Sequence, residues 1–512
     1  MEKITLIYIH DKGKTKSIPF GILYVATYLK RNNYNVKILN LEIPEYGKIS
    51  EDDLKKVLSE VKLSLCVGFS VMTNQVERSL YISKIIKRYQ EKLPIIWGGI
   101  HPTIFPEQTL KDKNIDFIVK SEGEKSFLEL VNSLKIKKKD FSNIKGIGYK
   151  EKDKIIINEN RELLNSKEFE EIPDWNLIDD FVRNNLYQFS WGDNLRYIEV
   201  HSGRGCPHRC TYCIDHILYG RTRRPRDYKK VVDEFEYLIK KYKVELIELR
   251  DDNFFVDLKK VENFCDEIIK RKINIKWGAN LRVDYFPRMS DSFFKKLKKS
   301  GCYHFWLSGE SGSQKILDLI KKDITPEMVV NAVKTCNKYE ILPIVSFMIG
   351  LPYETKEDIK KTVLLIDKLT EVSKKVGILG PQILRPYPGC ELYQLCLKLG
   401  LKEPHSLEEW VEIDKTALYY LNVKKMPWIK HPKLVNVVAK YTPKAFNSYL
   451  KDIPPFWKFF IELRSKLLRK AVFLYIKKEN KLTEKYLEFL DNLTKIGKIS
   501  IKRFSNILKY YE

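Results

Sequence analysis

The chain has 512 residues, room for about three domains, and its 44% hydrophobic and 31% charged content exclude an intrinsically disordered protein. Lys+Arg 92 against Asp+Glu 67 gives +25, an excess that suits an anionic partner, yet its Lys comes with many Ile and Asn, as a biased genome would supply, so the charge alone argues for no nucleic-acid partner. Nine cysteines without a signal peptide read as reduced thiols of a cytoplasmic protein, and no apolar run reaches the ~18 residues needed to span a bilayer.

Residues 1–140 alternate short apolar strands with helices. Strands are predicted at Ile4–Ile9, Val36–Leu41, Leu63–Ser70, Pro94–Trp97 and Asp116–Val119, and helices at Gly21–Leu29, 51–61, 75–90 and 124–134. This order predicts an α/β fold with a doubly wound, Rossmann-like parallel sheet, which binds ligands at the carboxyl ends of its strands. Those ends carry Ser70, Met72 and Thr73, then Gly98, Gly99 and His101, then Glu122 and Gly123. The paired glycines let backbone approach a flat ligand closely, whereas His101 also reads as a capping or core histidine. Residues 141–194 form a linker with Pro173, Trp175 and short strands around 145–158.

Residues 195–395 repeat strand and helix six times, with strands near 196–201, 244–249, 275–281, 303–308, 343–349 and 378–384. The pattern predicts a partial (β/α)6 TIM-type barrel whose chemistry sits at the carboxyl ends of its strands. Residues 396–512 form a basic C-terminal helical region in which Phe456, Phe460, Leu463, Leu467, Ala471 and Leu474 recur at helical spacing. Such a face packs on a neighbouring domain or rests on an anionic membrane, and packing is the commoner outcome.

Directly after the first barrel strand comes Cys206-Pro-His-Arg-Cys210-Thr-Tyr-Cys213. Three thiolates on one short loop can hold three corners of an iron–sulfur cube and leave the fourth iron open to a small molecule. Two other readings exist. The cysteines would share a helix face and be ordinary core, but Gly205 and Pro207 argue for a loop. Structural zinc would take His208 or His216 as a fourth ligand, but no second cysteine pair is present. Later strand ends carry Asp252, Arg282, Glu310, Gly350 and Glu354, groups suited to a polar ligand with a charged amino acid end. Asp251 and Asp252 also read as helix caps, and Arg282 with Asp284 as a structural ion pair.

The run Arg204-Gly-Cys-Pro-His-Arg-Cys-Thr-Tyr-Cys213 resembles the signature of radical S-adenosylmethionine enzymes, Tyr212 included. The resemblance implies a [4Fe-4S] cluster on Cys206, Cys210 and Cys213 whose open iron chelates S-adenosylmethionine. One electron then gives a 5′-deoxyadenosyl radical. It also implies S-adenosylmethionine contacts from Tyr212, Asp252, Arg282, Glu310, Gly350 and Glu354. Ser346-Phe-Met-Ile-Gly-Leu-Pro-Tyr-Glu354 is similar to the family's adenine strand, with Ser346 and Met348 as departures. Through Ser17–Ala26, Gly98–His101, Thr103, Pro106-Glu107 and Glu122–Glu124, the first domain resembles the cobalamin-binding domain that precedes many such modules. That likeness implies cobalamin contacts from Ser70, Met72, Thr73, Gly98, Gly99, His101, Glu122 and Gly123. The histidine-ligand motif of such domains is replaced by His10-Asp-Lys-Gly13, so no histidine from that loop is expected on the cobalt.

The resemblance spans residues 1–395 and implies cobalamin-dependent methyl transfer to an unactivated carbon of a small-molecule or lipid substrate, with a low-potential donor such as ferredoxin or flavodoxin. Oxidative cyclisation or rearrangement without methyl transfer is the alternative within the same chemistry. A tRNA methylthiotransferase would need more cluster cysteines in the first domain than Cys66. A cobalamin or redox sensor is the non-enzymatic reading.

Overall fold

The computed structural model describes residues 2–11, 17–44, 47–138, 140–152, 154–189, 191, 193–415, 423, 426–439, 473 and 485. In the first domain the strands are β1 (Lys3–Asp11), β2 (Asn35–Ile43), β3 (Ser64–Ser70), β4 (Ile95–Gly98), β5 (Phe117–Val119), β6 (Ile147–Glu151) and β7 (Lys154–Ile157). They form one sheet in the order β2-β1-β3-β4-β5-β6-β7, parallel through β5 and antiparallel beyond it. The short strands expected in the linker thus extend the edge of the first sheet.

Alternation along β1 sends Ile4 and Leu6 to one core and Ile7 and Ile9 to the other. Helices cover both faces, which is why these strands read as continuous apolar runs. On one side lie Phe20–Arg31 and Gly123–Lys135, and on the other Glu51–Val61 and Val76–Tyr89.

The second domain begins with β8 (Tyr187–Phe189), β9 (Leu195–Val200) and the short paired strands β10 (Gly203–Arg204) and β11 (Arg224–Pro225). Its sheet continues with β12 (Leu246–Leu249), β13 (Lys276–Leu281), β14 (Cys302–Glu310), β15 (Leu342–Ile349) and β16 (Gly377–Ile383). The order β16-β15-β14-β13-β12-β9-β8 contains six parallel strands, with β8 antiparallel at the edge, and makes a curled half-barrel. β16 and β9 do not pair. Trp191 spans that gap by packing on Gly377, where a Cβ would lie 2.6 Å from its ring.

Amphipathic helices cover the outside, and their starts are written in the sequence. Asp227, Asp257, Ser290, Thr325 and Thr355 each accept a backbone N–H from the first turn of the helix they precede. Facing them, the outward side chains of the strands build the barrel core around Trp277, Phe305 and Phe347, all fully buried.

C-terminal helices run over Glu391–Lys398, Leu407–Lys415 and Pro432–Ala439. Leu407 and Trp410 pack into the core of the first domain, and Trp428 Nε1 donates to the Gly350 carbonyl at 2.8 Å. The apolar stripe expected at Phe456 to Leu474 lies outside the described residues. Among the described residues no helix is long and apolar enough to cross a membrane.

Candidate functional site

The carboxyl ends of the first sheet open onto a cavity of about 430 Å³, closed on its far side by the second domain. Cavities of ~300–1,000 Å³ hold a drug-sized ligand, so this one has room for part of a large cofactor whose remainder extends from its open mouth. Ser70, Met72, Gly98, Gly99, Glu122 and Gly123, all assigned to cobalamin on resemblance, line it. The first-domain wall also includes Tyr24, whose buried hydroxyl has no hydrogen-bond partner. Burial pushes that phenol up to about 12, so it keeps its proton and is a donor in want of an acceptor. A Cβ on Gly21, also in the lining, would meet nothing nearer than Ser70 Oγ at 3.9 Å. An orphaned donor and side-chain-free backbone along an open-mouthed cavity fit part of a bound cobalamin.

Thr73 and His101 stand outside this lining. His101 is fully buried, with Nδ1 3.4 Å from Thr73 Oγ1 and its ring against Phe105 and Trp410. Burial pushes its imidazole down to about 3, so it is neutral. His10 is turned away as well, 3.2 Å from Asn40 Oδ1 and stacked on Phe181.

The second domain supplies Glu199, His201, Arg204, Tyr219 and Arg250 to the cavity, and sequence reasoning assigned none of them a place there, Arg204 entering only as the start of the cysteine run. His201 stacks on Phe20 with ring centroids 4.0 Å apart. Burial and then the surrounding arginines push it down to about 3. Arg204 donates to Glu122 Oε1 at 2.7 Å and to Glu124 Oε1 at 2.6 Å. Burial alone would raise the Glu122 carboxyl, but bonds from Arg224 and Arg204 hold it below its ordinary value.

One residue separates Arg204 from the cysteine loop. Gly205, with φ +81°, turns the chain where a Cβ would sit 2.3 Å from the Thr222 carbonyl oxygen, and its N–H donates to Asp252 Oδ2 at 2.9 Å. Cys206, Cys210 and Cys213 are half-buried, whereas the other six cysteines are buried. Asn253 Nδ2 lies 3.7 Å from Cys206 Sγ, and Arg282 Nη1 3.6 Å from Cys210 Sγ. Such donors are what cluster thiolates use to set their potential.

Among the described residues no three His, Cys, Asp or Glu side chains gather tightly enough for a single metal ion. Zinc on Cys206, Cys210 and Cys213 would need a fourth ligand. His208 is engaged elsewhere, 2.6 Å from the Tyr285 hydroxyl.

The strand ends beyond the loop converge on it. Glu310 closes β14 in a left-handed conformation at φ +57°. Tyr212 and Lys322 donate to its Oε1 at 2.8 and 3.0 Å, so Oε2 takes neither bond. Lys322 is buried, and nothing in Ile320-Lys-Lys-Asp323 marks it out in the sequence. Arg282 pairs with Asp284 at 2.9 Å while reaching Cys210, which makes it an ion-pair partner and a cluster-loop contact at once. Burial and then the Asp215 charge push Asp252 up to about 7. Glu354 accepts the Gly350 and Leu351 N–H groups at 2.6 and 3.3 Å, and burial pushes it up to about 8.

The inner face of the half-barrel carries a further polar row. Glu199, Glu248, Gly278 and His304 stand in register on four adjacent strands. His304 Nε2 reaches 2.7 Å from Glu248 Oε2 by lying over Gly278, where a Cβ would be 1.9 Å from the ring. Asn280, Trp306, Ser308 and Ser346 follow toward the carboxyl end, all half-buried.

The two halves of this site match two known families. Residues 200–366 match the radical SAM superfamily, and residues 9–131 match the B12 binding domain. A methyltransferase of Pyrococcus horikoshii, itself uncharacterised, is 29% identical over 407 residues, covering 78% of this chain and 83% of the relative. The anaerobic magnesium-protoporphyrin IX monomethyl ester cyclase of Rubrivivax gelatinosus is 30% identical over 347 residues, covering 67% of this chain and 61% of the cyclase. In fold, the chain is similar to the radical S-adenosylmethionine methyltransferase TsrM of Kitasatospora setae, solved with cobalamin and a [4Fe-4S] cluster, with a TM-score of 0.63 at 19% identity over 79% of this chain and 80% of that one. The chain belongs to the radical S-adenosylmethionine superfamily, in the branch that carries an N-terminal B12-binding domain, and is an enzyme that works with a [4Fe-4S] cluster, S-adenosylmethionine and cobalamin.

Proposed function

We propose that the chain is a methyltransferase that delivers a methyl group to an unactivated carbon of a small-molecule or lipid substrate. The observation that carries this reading is the wall shared by its two sites: Arg204 lines the cavity of the first domain, and Cys206 opens the cluster loop two residues later. A methyl carrier and a radical source must meet at one substrate, and this chain builds both sites on a single turn. Methyltransferases among its relatives point the same way.

When bound, the cluster supplies the electron that cleaves S-adenosylmethionine, and cobalamin carries the methyl group. Cys206, Cys210 and Cys213 would hold the cluster, with Asn253 and Arg282 donating to their sulfurs. Tyr212 and Lys322 fix Glu310 so that Oε2 accepts a hydroxyl of the bound nucleoside. Glu354, neutral at pH 7, braces the Gly350 turn against the adenine end. Ser70, Met72, Gly98, Gly99, Glu122 and Gly123 would border the cobalamin, with Thr73 and His101 behind them. The substrate would lie on the inner face of the half-barrel against Asn280, Trp306, Ser308 and Ser346, where enclosure keeps water from the reacting carbon. An external low-potential donor, of the ferredoxin or flavodoxin kind, would reduce the cluster.

The test is uncoupled turnover of the anaerobically reconstituted full chain with hydroxocobalamin, S-adenosylmethionine and a strong reductant. Both 5′-deoxyadenosine and S-adenosylhomocysteine are expected, because radical formation and methyl loading each consume S-adenosylmethionine. Formation of 5′-deoxyadenosine alone would move the assignment to cyclisation or rearrangement, the second reading, which the Rubrivivax cyclase relative supports. Neither product from protein with an intact cluster would favour a sensor. Cys66 is wholly buried, and burial pushes its thiol up, which gives no support to a methylthiotransferase with extra cluster ligands in the first domain.

A further inference from the structure

We propose that Arg204 is a positioning residue through which occupancy of the cobalamin cavity sets the geometry of Cys206, so that the two cofactor sites are energetically coupled. The inference rests on the cobalamin reading of the cavity and goes beyond it.

The clamp is built from buried charge. The Arg204 side chain is 10% exposed and its partners Glu122 and Glu124 are 4% and 6% exposed. Its guanidinium lies between the rings of Tyr24 and Phe169, 4.8 and 4.5 Å from their centroids. Glu122 ends the loop after β5 and Glu124 sits in the first turn of the helix Gly123–Lys135 that follows, both lining the cavity, while Arg204 belongs to β10 in the other domain. Arg224, paired with Arg204 across β10 and β11, donates to the same Glu122 at 2.8 Å. Both strands of this small hairpin are thus tied to one acidic loop. A buried charge that loses its partner is strongly destabilised, so loop and hairpin move together.

What moves the hairpin moves the cluster loop. From Arg204 the chain passes through Gly205, fixed by Asp252, to Cys206, whose sulfur also faces Asn253. A ligand in the cavity touches the acidic loop and Tyr24 on one side and the Arg204 wall on the other. It therefore favours one placement of the clamp, and the cluster favours one placement of Cys206. Two ligands that bias one element are coupled, and the coupling is reciprocal.

The experiment measures hydroxocobalamin affinity of the full chain with and without the reconstituted cluster, and the cluster midpoint potential with and without hydroxocobalamin. Wild type, Arg204→Lys and Glu124→Gln are compared, each checked for iron, sulfide and retained corrinoid. In the wild type the cluster is expected to change the hydroxocobalamin Kd at least about fivefold, the low end for coupled sites, and hydroxocobalamin to shift the potential. In both variants the Kd ratio falls toward one and the potential shift disappears. Glu124→Gln keeps the shape of the clamp and decides the matter if Arg204→Lys does not fold. Wild type that binds hydroxocobalamin equally with and without cluster would sink the coupling and leave the cobalamin site standing. Wild type that retains no corrinoid would sink both. Full coupling in Glu124→Gln would remove the clamp as its route.

Discussion

Gly99 is where one methyl group should separate the two cofactor sites. Its φ of +97° and ψ of −166° fall in a region that essentially only glycine occupies, which costs other residues ~1–3 kcal/mol. An added Cβ would also sit 2.8 Å from the Val71 nitrogen and 2.9 Å from its carbonyl oxygen. Neither atom can yield cheaply. Val71 N–H donates to the Gly98 carbonyl at 2.8 Å, and the Val71 carbonyl accepts from His101 N–H at 3.0 Å. Losing one such bond adds about 1 kcal/mol. Gly99→Ala should therefore cost ~2–4 kcal/mol locally, relieved by separating the loop after β4 from the loop after β3. Both loops line the cavity, so hydroxocobalamin affinity should fall at least about tenfold, the equivalent of ~1.4 kcal/mol. Iron and sulfide content should stay at the wild-type value, because the cysteine loop belongs to the second domain. Gly98→Ala separates backbone strain from lost ligand space, since its Cβ would meet no protein atom closer than 3.6 Å, so it should leave thermal stability near the wild-type value. Corrinoid titrations followed by absorbance, and thermal melts, read both variants. Wild-type affinity in Gly99→Ala, or an equal loss of stability in Gly98→Ala, would refute the reasoning.

Replacing Cys206, Cys210 and Cys213 together with alanine should abolish the brown absorbance and bound iron and sulfide, and full iron content in that variant would remove the cluster assignment. Glu354 retains its proton up to about pH 8 in the fold, whereas the unfolded chain releases it near 4.5, so stability should fall as pH rises between these values, by a few kcal/mol at ~1.4 per unit. Glu354→Gln should lose that dependence. Thermal melts from pH 5 to 9 that keep a constant offset between variant and wild type would contradict it. His101→Leu should keep its corrinoid and give the same cob(II)alamin spectrum as the wild type, because His101 stands behind the cavity lining. Loss of corrinoid, or a nitrogen coupling present in the wild type and absent from the variant, would place His101 at the metal instead.

Both sheets and the cluster loop were legible because their signals are local. Five of the six parallel barrel strands lead to a helix with an Asp, Ser or Thr cap, and the spacing of Cys206, Cys210 and Cys213 needs no distant partner to be noticed. What escaped reading depends on register between strands. Glu248 and His304 meet only because Gly278, on the strand between them, has no side chain to keep them apart. Lys322 looks like any surface lysine until the fold buries it on Glu310. Arg204 takes its meaning from carboxylates 80 residues upstream or more. The motif around Gly98 placed His101 near a ligand, but its burial against Trp410 is set by a helix beginning at Leu407, beyond the reach of any local pattern.

The clamp that borders the first-domain cavity also has a meaning for biogenesis. Its bonds join residues 80 and 102 positions apart, among the slower contacts for a growing chain to close. A nascent first domain can shape its sheet well before Arg204 and Arg224 have been synthesised, and at that stage it offers the vitamin only an open shelf. Secure loading must wait for the barrel to dock, so supply of the corrinoid late in maturation should suffice, and a severed N-terminal fragment should hold it loosely.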